Sequence, residues 1–277
     1  MRAKPFIKWA GGKRQLLPEL RKLYPESFEN YFEPFLGGGA VFFDLAPQHA
    51  VLNDINPAVT NLYQTIKDDA EGLIQLVSEI EEATPADKDE QKQYYYQLRS
   101  QFNEGLTSDT YDLKNAALFM VINHRCFNGL FRVNRSGEFN VPFNGSSRPS
   151  LSPENIHAAA ESLANTEILT GDFVDACEKA KEGDFVFLDS PYAPLKFDSF
   201  TNYAKEGFGL EDHERLATLF RDLDARGCRV VMTNHDVPLI HQLYEGYSAL
   251  VVPANRMINS NASRRAGSVE IIVRNWT

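Results

Sequence analysis

Long apolar runs are missing from this chain of 277 residues. No stretch of about 18 apolar residues occurs, so no membrane-spanning helix is expected. The first residues, Met1-Arg2-Ala3-Lys4-Pro5, lack the apolar core and small-residue cleavage site of a secretory leader. Cysteine is scarce. Cys126, Cys177 and Cys228 lie far apart and form no C-x-x-C pair. That spacing argues against a disulfide framework or a structural zinc site and fits a reducing cytoplasm. Basic residues are in deficit, 28 Lys and Arg against 38 Asp and Glu, for a formal net charge of −10. The deficit weighs mildly against a nucleic-acid partner, but placement matters more than the sum. Much of the acid falls between Asp68 and Glu90, whereas residues 125–149 carry Arg125, Arg132, Arg135 and Arg148 against one acid, Glu138. Residues 255–265 carry Arg256, Arg264 and Arg265 with no acid. Either segment can meet phosphate; equally, a few loop arginines are ordinary surface.

The 43% hydrophobic share is enough for a buried core, and the length suits one large domain or one carrying an insertion. Asn30–Phe35 reads as a strand, Gly37-Gly38-Gly39 as a turn, Ala40–Leu45 as a helix stopping near Pro47, and Ala50–Asp54 as a second strand. That order is a βαβ unit. From about Asn56 to Asn165 helical stretches dominate, among them Val59–Lys67, Gly72–Glu82, Tyr94–Phe102 and Leu113–Asn123, followed by a loop-like region from Phe127 to Pro153. Strand-like runs return at Glu167–Thr170, Phe185–Leu188 and Arg229–Thr233, with an amphipathic helix at Leu210–Ala225. The closing runs Ala249–Val252 and Val269–Val273 read as an antiparallel pair. The expectation is a doubly wound, mostly parallel α/β sheet interrupted by a helical insertion.

Two features point to a nucleoside-type ligand. The glycine turn allows tight backbone angles and close approach of a ligand, although Phe42 stands where a G-x-G-x-x-G fingerprint needs its third glycine, and a structural turn is the plain alternative. Asp54 ends the second strand, where a carboxylate can accept ribose hydroxyls; it can also cap the helix beginning near Asn56. Neither feature chooses between NAD and S-adenosyl-L-methionine. Lys13 is not a phosphate-loop lysine, since Arg14 stands where Ser or Thr should be and the preceding spacing is wrong.

The run Phe185–Leu188 ends in Asp189-Ser190-Pro191-Tyr192. Ligands in open α/β sheets bind at the carboxyl ends of strands, so this tetrapeptide faces the expected crevice. An exocyclic amino group of adenine is a poor nucleophile because its lone pair is delocalised into the ring. Two acceptors on its hydrogens, the Asp189 carboxylate and the Ser190 carbonyl, favour a pyramidal nitrogen and stabilise the charge that develops. Tyr192 supplies a face for the base, and no metal is required. In isolation the same residues also make an ordinary proline-containing turn.

Taken together the motifs resemble the Dam and DpnM family of DNA adenine methyltransferases, nearly end to end. The resemblance rests on Lys8–Lys13 (KWAGGK), Phe32–Gly39 (FEPFLGGG) and Asn53–Asn56 (NDIN). It continues through Phe127–Asn134 (FNGLFRVN), Gly137–Pro142 (GEFNVP), Asp189–Leu195 (DSPYAPL) and Thr233–His235 (TNH). It implies a Rossmann-like, seven-stranded methyltransferase sheet with a helical target-recognition insertion. The donor-binding catalytic domain would be residues 1–56 and 165–277, and the DNA target-recognition domain residues 57–164. It further implies S-adenosyl-L-methionine as cofactor, held by Trp9, Lys13, Phe35, Gly37, Gly39, Asp54, Asp172, Phe173 and Asp189, and duplex DNA as partner. Lys8, Arg125, Phe127, Asn128, Leu130, Arg132, Asn134 and Pro142 would contact that DNA. The implied activity is methylation of a flipped adenine, within GATC by the same resemblance, and a companion restriction endonuclease is compatible with it. Ordinary core packing is the alternative for Phe127 and Leu130.

Two departures stand out. Most relatives have Asp-Pro-Pro-Tyr, and Ser190 here loses the fixed φ of proline while keeping the carbonyl. In a Dam-like enzyme Arg-Tyr follows the Pro-Phe-Gly of this loop; here Phe143 is followed by Asn144-Gly145-Ser146-Ser147, so the resemblance implies that an aromatic contact to DNA is missing. Three rival readings stay open: methylation of RNA or a protein amide, a DNA-binding relative without catalysis, and an NAD-linked oxidoreductase. The last is disfavoured by the incomplete glycine fingerprint.

Overall fold

The computed structural model describes residues 2–195, 207–254 and 268–276; Arg256, Arg264 and Arg265 lie outside the described residues. After a short 3-10 turn at Lys13–Gln15 and helix α1 (Leu17–Leu20), the glycine turn joins strand β1 (Tyr31–Glu33) to helix α2 (Ala40–Leu45) and strand β2 (Ala50–Asp54). Four helices follow: α3 (Pro57–Asp68), α4 (Ala70–Glu82), α5 (Lys88–Thr107) and α6 (Leu113–Arg125). Beyond an irregular loop come α7 (Pro153–Leu163), β3 (Thr166–Thr170), α8 (Phe173–Ala176) and β4 (Phe185–Leu188). The chain closes with α9 (Leu210–Ala225), β5 (Arg229–His235), α10 (Pro238–Leu243), β6 (Ser248–Ala254) and β7 (Ser268–Arg274).

The strands form a seven-stranded sheet in the order β3-β2-β1-β4-β5-β7-β6. β1 runs parallel to β2 and β4, and β4 runs parallel to β5. β7 is antiparallel to β5 and β6, as the two closing apolar runs suggest. β1 and β4 are buried at every position, which is why β4 reads as a continuous apolar run rather than an alternating one, while β1 buries one acid, Glu33. Pro253 is accommodated because β6 is an edge strand.

By contacts the chain divides into two compact units. The first comprises residues 2–14, 37–46 and 56–170; the second comprises residues 15–36, 47–55 and the described residues from 171 onward. In the first, α6 is buried almost all round, from Asn115 to Asn123, and packs against α3, α4 and α5. A helix without a polar face belongs at the centre of its bundle. α5 is longer at both ends than its apolar pattern suggests, because Asp87 caps it by accepting from the Asp89 and Glu90 amides and its first turn is polar. Sequence reading missed α7, although Pro153 at its first turn and Ile156, Ala159 and Leu163 on one face announce it. In the second unit, Phe32, Val186, Leu188, Val230, Met232 and Ile271 of the sheet pack with Leu216 and Phe220 of α9. None of the helices among the described residues is long and apolar enough to cross a membrane.

Candidate active site and nucleic-acid face

The candidate site residues fall into two sets, one in each unit. In the second unit they gather at the carboxyl ends of β1, β2, β4 and β5. Asp54 is the last residue of β2 and is buried. The helix cap that Asp54 was a candidate for is made instead by Asn56, whose Oδ1 accepts from the Ala58 amide. Ile55, between them, is 73% exposed, an apolar side chain held in solvent beside a buried carboxylate. Phe35 stacks on Phe173 with ring centroids 5.2 Å apart, and Phe208 meets both. Asp172 caps α8 by accepting from the Val174 amide and takes both of its oxygens to Arg215 Nη2, at 2.9 and 2.8 Å. The Arg215 guanidinium also lies 4.9 Å from the Phe173 ring centre. Partial burial pushes the Asp172 carboxyl up, but the hydrogen bonds from Arg215 and Val174 outweigh it and leave its pKa below the ordinary value.

Asp189-Ser190-Pro191-Tyr192 follows directly on the fully buried β4. Asp189 is half-buried, Ser190 buried and Pro191 exposed. The Thr233 hydroxyl donates to Asp189 Oδ1 at 2.8 Å. The Tyr192 hydroxyl donates to Glu270 Oε2 at 2.8 Å, and its ring meets His235 edge to face at 4.8 Å. His235 Nδ1 lies 2.6 Å from the Ala193 carbonyl oxygen. Desolvation, then the negative charges of Asp189 and Glu270, hold the Tyr192 phenol well above its usual pKa. Tyr31 is shifted the same way by burial and by Glu33, whose Oε2 accepts its hydroxyl at 2.8 Å. Sequence reading assigned no role to Glu33, Ile55, Arg215 or Glu270. The available signal was an acid inside an apolar strand run, at Glu33 and again at Glu270.

In the first unit, Trp9 packs on the glycine turn. Gly37 has φ +48°, and a Cβ there would lie 2.5 Å from two atoms of the Trp9 indole. Only glycine meets both conditions. Lys13 is buried, with Nζ donating to the Gly11 carbonyl at 2.7 Å. Gly39, at φ +62°, opens α2.

The loop after α6 folds back on itself. Phe127 N–H donates to the Pro142 carbonyl, Asn144 N–H to the Arg125 carbonyl, and Asn140 N–H to the Arg132 carbonyl. At its tip, Asn134 Oδ1 accepts from the Ser136 and Glu138 amides. Lys8 anchors beside it: Nζ donates to the His124 carbonyl at 2.8 Å, and a Cβ on Gly129, which has φ +63°, would overlap the Lys8 side chain. Phe127 is 50% exposed and Asn128, in the left-handed region at φ 57°, is exposed as well, while Leu130 is half-buried. Core packing therefore does not account for Phe127. Arg132, Asn134 and Pro142 are exposed, and Arg132 Nε donates to Asn140 Oδ1 at 2.6 Å.

Arg125 departs from expectation. It is 3% exposed, donates from Nη1 to the Thr84 hydroxyl at 2.9 Å, and so lies inside the helical unit rather than on the loop surface. Burial lowers its pKa, while the nearby Glu81 carboxylate opposes the shift. As the last residue of α6, which is buried at nearly every position from Asn115 onward, it follows that helix inward.

Residues 9–258 match the family profile described as D12 class N6 adenine-specific DNA methyltransferase. Full-length relatives agree. The chain is 42% identical to the type II methyltransferase M1.LlaDCHI of Lactococcus lactis subsp. cremoris, over 99% of this chain and 95% of that protein. It is 38% identical to the type II methyltransferase M.MjaIII of Methanocaldococcus jannaschii, over the whole of both. With the DNA adenine methylase of Escherichia coli K12 the identity is 33%, over 96% of this chain and 93% of that protein.

Proposed function

The chain belongs to the D12 class of N6 adenine-specific DNA methyltransferases, and from that premise we propose its reaction: transfer of a methyl group from S-adenosyl-L-methionine to N6 of an adenine extruded from duplex DNA, within GATC. The observation that carries the proposal is the placement of Asp189, Ser190 and Tyr192 at the end of a buried parallel strand, in the same unit as Asp54 and the Phe35–Phe173 stack.

The residues present fit the donor. Asp54 offers a carboxylate to ribose hydroxyls. Phe35, Phe173 and exposed Ile55 offer apolar faces to a purine, with Asp172 beside them. In the other unit, Gly37, Gly39, Trp9 and Lys13 belong to the same assignment. When bound, S-adenosyl-L-methionine supplies a methyl group already activated by its sulfonium. The protein's task is then positioning and charge stabilisation. Asp189 and the Ser190 carbonyl accept the two amino hydrogens of adenine, which frees the nitrogen lone pair. Tyr192 provides the stacking face and His235 its edge.

Adenine N6 is out of reach inside the stacked duplex, so the base must leave it. Lys8, Phe127, Asn128, Leu130, Arg132, Asn134 and Pro142 are proposed to face the DNA, with Arg132 the candidate for a guanine fork. Residues 57–164 form the target-recognition part in this proposal, and residues 1–56 and 165–277 the catalytic part. A companion restriction endonuclease belongs to the same proposal and rests on the type II methyltransferase names of two relatives.

Asp189→Ala is expected to lower tritiated methyl transfer to unmethylated plasmid by more than about 100-fold, with DNA binding retained. A near-normal rate overturns the assignment. Greater labelling of RNA or protein than of DNA would favour the rival substrates. Digestion of the product with endonucleases that do and do not cut GATC carrying N6-methyladenine decides the site.

A further inference from the structure

Both acceptors in the proposed reaction sit on a short segment with a local tie of its own, the Ser190 hydroxyl donating to the Pro191 carbonyl at 3.3 Å. Ser190 leaves φ unrestrained where a proline would fix it, and an aspartate carboxylate turns about χ2 over a broad range. Ties from outside the segment come from β5 and, at Tyr192, from Glu270 of β7. β4 and β5 are parallel neighbours with Leu188 opposite Met232, so Asp189 and Thr233 leave that register side by side. Thr233 is fully buried, and its hydroxyl donates to Asp189 Oδ1 at 2.8 Å. The next residue, Asn234, is also fully buried. Its Oδ1 accepts from the Ala193 amide at 2.8 Å, and its Nδ2 reaches the Ser190 hydroxyl at 3.5 Å. Asn234 thus brackets the segment at both ends, while Thr233 takes the carboxylate itself. Committing Oδ1 to Thr233 fixes the direction in which the second carboxylate oxygen points.

We propose that Thr233 is a positioning residue for methyl transfer, acting through the Asp189 carboxylate. The inference rests on the reading of Asp189 as an acceptor of the adenine amino group. A buried hydroxyl bonded to a carboxylate is a stronger tie than a neutral pair, and misplacement of a reacting group by about 1 Å can cost on the order of 100-fold in rate. A valine at 233 keeps the branched shape and removes the hydroxyl, with both its bond to Asp189 and its contact with the Tyr192 phenol. A serine keeps the donor and removes only a methyl group.

The test is single-turnover and steady-state methyl transfer to unmethylated plasmid DNA by Thr233→Val, Thr233→Ser and Asp189→Asn, each with its thermal midpoint. Thr233→Val is expected to lose about 10- to 100-fold in kcat, with KM for DNA and for the methyl donor within about twofold. Thr233→Ser is expected to recover most of the rate. A Thr233→Val enzyme within about twofold of the wild-type kcat overturns the proposal, and so does a folded Thr233→Ser as slow as Thr233→Val. Should the valine variant fail to fold, Thr233→Ala carries the same expectation. If Asp189→Asn is inactive and Thr233→Val normal, only the positioning role falls. If both are normal, the reading of Asp189 falls with it.

Discussion

The segment after β4 and the loop after α6 are both tied to neighbouring elements, but they differ in what they leave exposed. Asp189, Tyr192 and Ala193 are tied by side chains of other strands: Thr233 and Asn234 of β5 and Glu270 of β7. The loop from Phe127 to Asn144 closes partly on itself, as in the Asn134 turn and the Arg132–Asn140 pair, and is also held by α5, where Tyr95 and Arg99 donate to the Val141 carbonyl and Asn103 pairs with the Phe139 backbone. A reacting group placed by buried neighbours has one position. A loop anchored through buried Phe139 and Val141 keeps its shape while its outward side chains stay open to a ligand. In the proposed function, chemistry sits on the buried segment and recognition on the exposed side chains of the loop.

Cutting a tie at the first region should move rate, and cutting an outward side chain at the second should move affinity. Glu270→Ala, which removes the acceptor of the Tyr192 hydroxyl, is expected to lower kcat by about 10-fold or more, with KM for DNA little changed. An effect confined to KM would break the comparison. Within the second region, Arg132→Ala is expected to lower kcat/KM for DNA by about 5- to 100-fold and to relax discrimination at one base pair. Arg125→Ala, only seven residues earlier but buried, should leave DNA affinity unchanged and cost about 1–3 kcal/mol of stability in a denaturant titration. Equal losses of DNA affinity would erase the distinction between the two arginines.

Smaller effects separate the packed unit from the open loop by pH and reactivity. His213 in α9 is 1% exposed, and desolvation pushes its pKa down to about 4. Its folded pKa is depressed, so the unfolded chain binds a proton that the folded one refuses. Stability should therefore fall as pH drops from about 6.5 toward 4, by about 1.4 kcal/mol per unit across that window. Above it no such loss occurs. His213→Leu should flatten that slope, and an unchanged slope would remove His213 as its source. Smallest of all, burial raises the thiols of Cys126, Cys177 and Cys228 to about 11, 12 and 11. A thiolate reagent at neutral pH is expected to label none of them until denaturant is added. Labelling of the native protein would show that these positions open.

Much of the candidate site was legible because its residues break local rules. A glycine run after an apolar strand, an acid ending Ala50–Asp54 and the DSPY run after Phe185–Leu188 all sit where an α/β sheet opens to a ligand. Residues whose significance comes from a partner far along the chain were silent. Glu270 looks like one polar position in a strand until Tyr192 donates to it from 78 residues away. Arg125 belongs by sequence to a basic loop, yet the helical phase of α6 turns it inward.

Local periodicity and strand-end chemistry were enough to specify the βαβ order, the helical block, the closing antiparallel pair and the acid-bearing tetrapeptide, because each is written within a few consecutive residues. Which arginine faces solvent, which aromatic leaves the core and which hydroxyl orients Asp189 were decided by folding alone. Those outcomes depend on burial and on hydrogen bonds between residues brought together from distant parts of the chain, and such partners leave no trace in the spacing of neighbours.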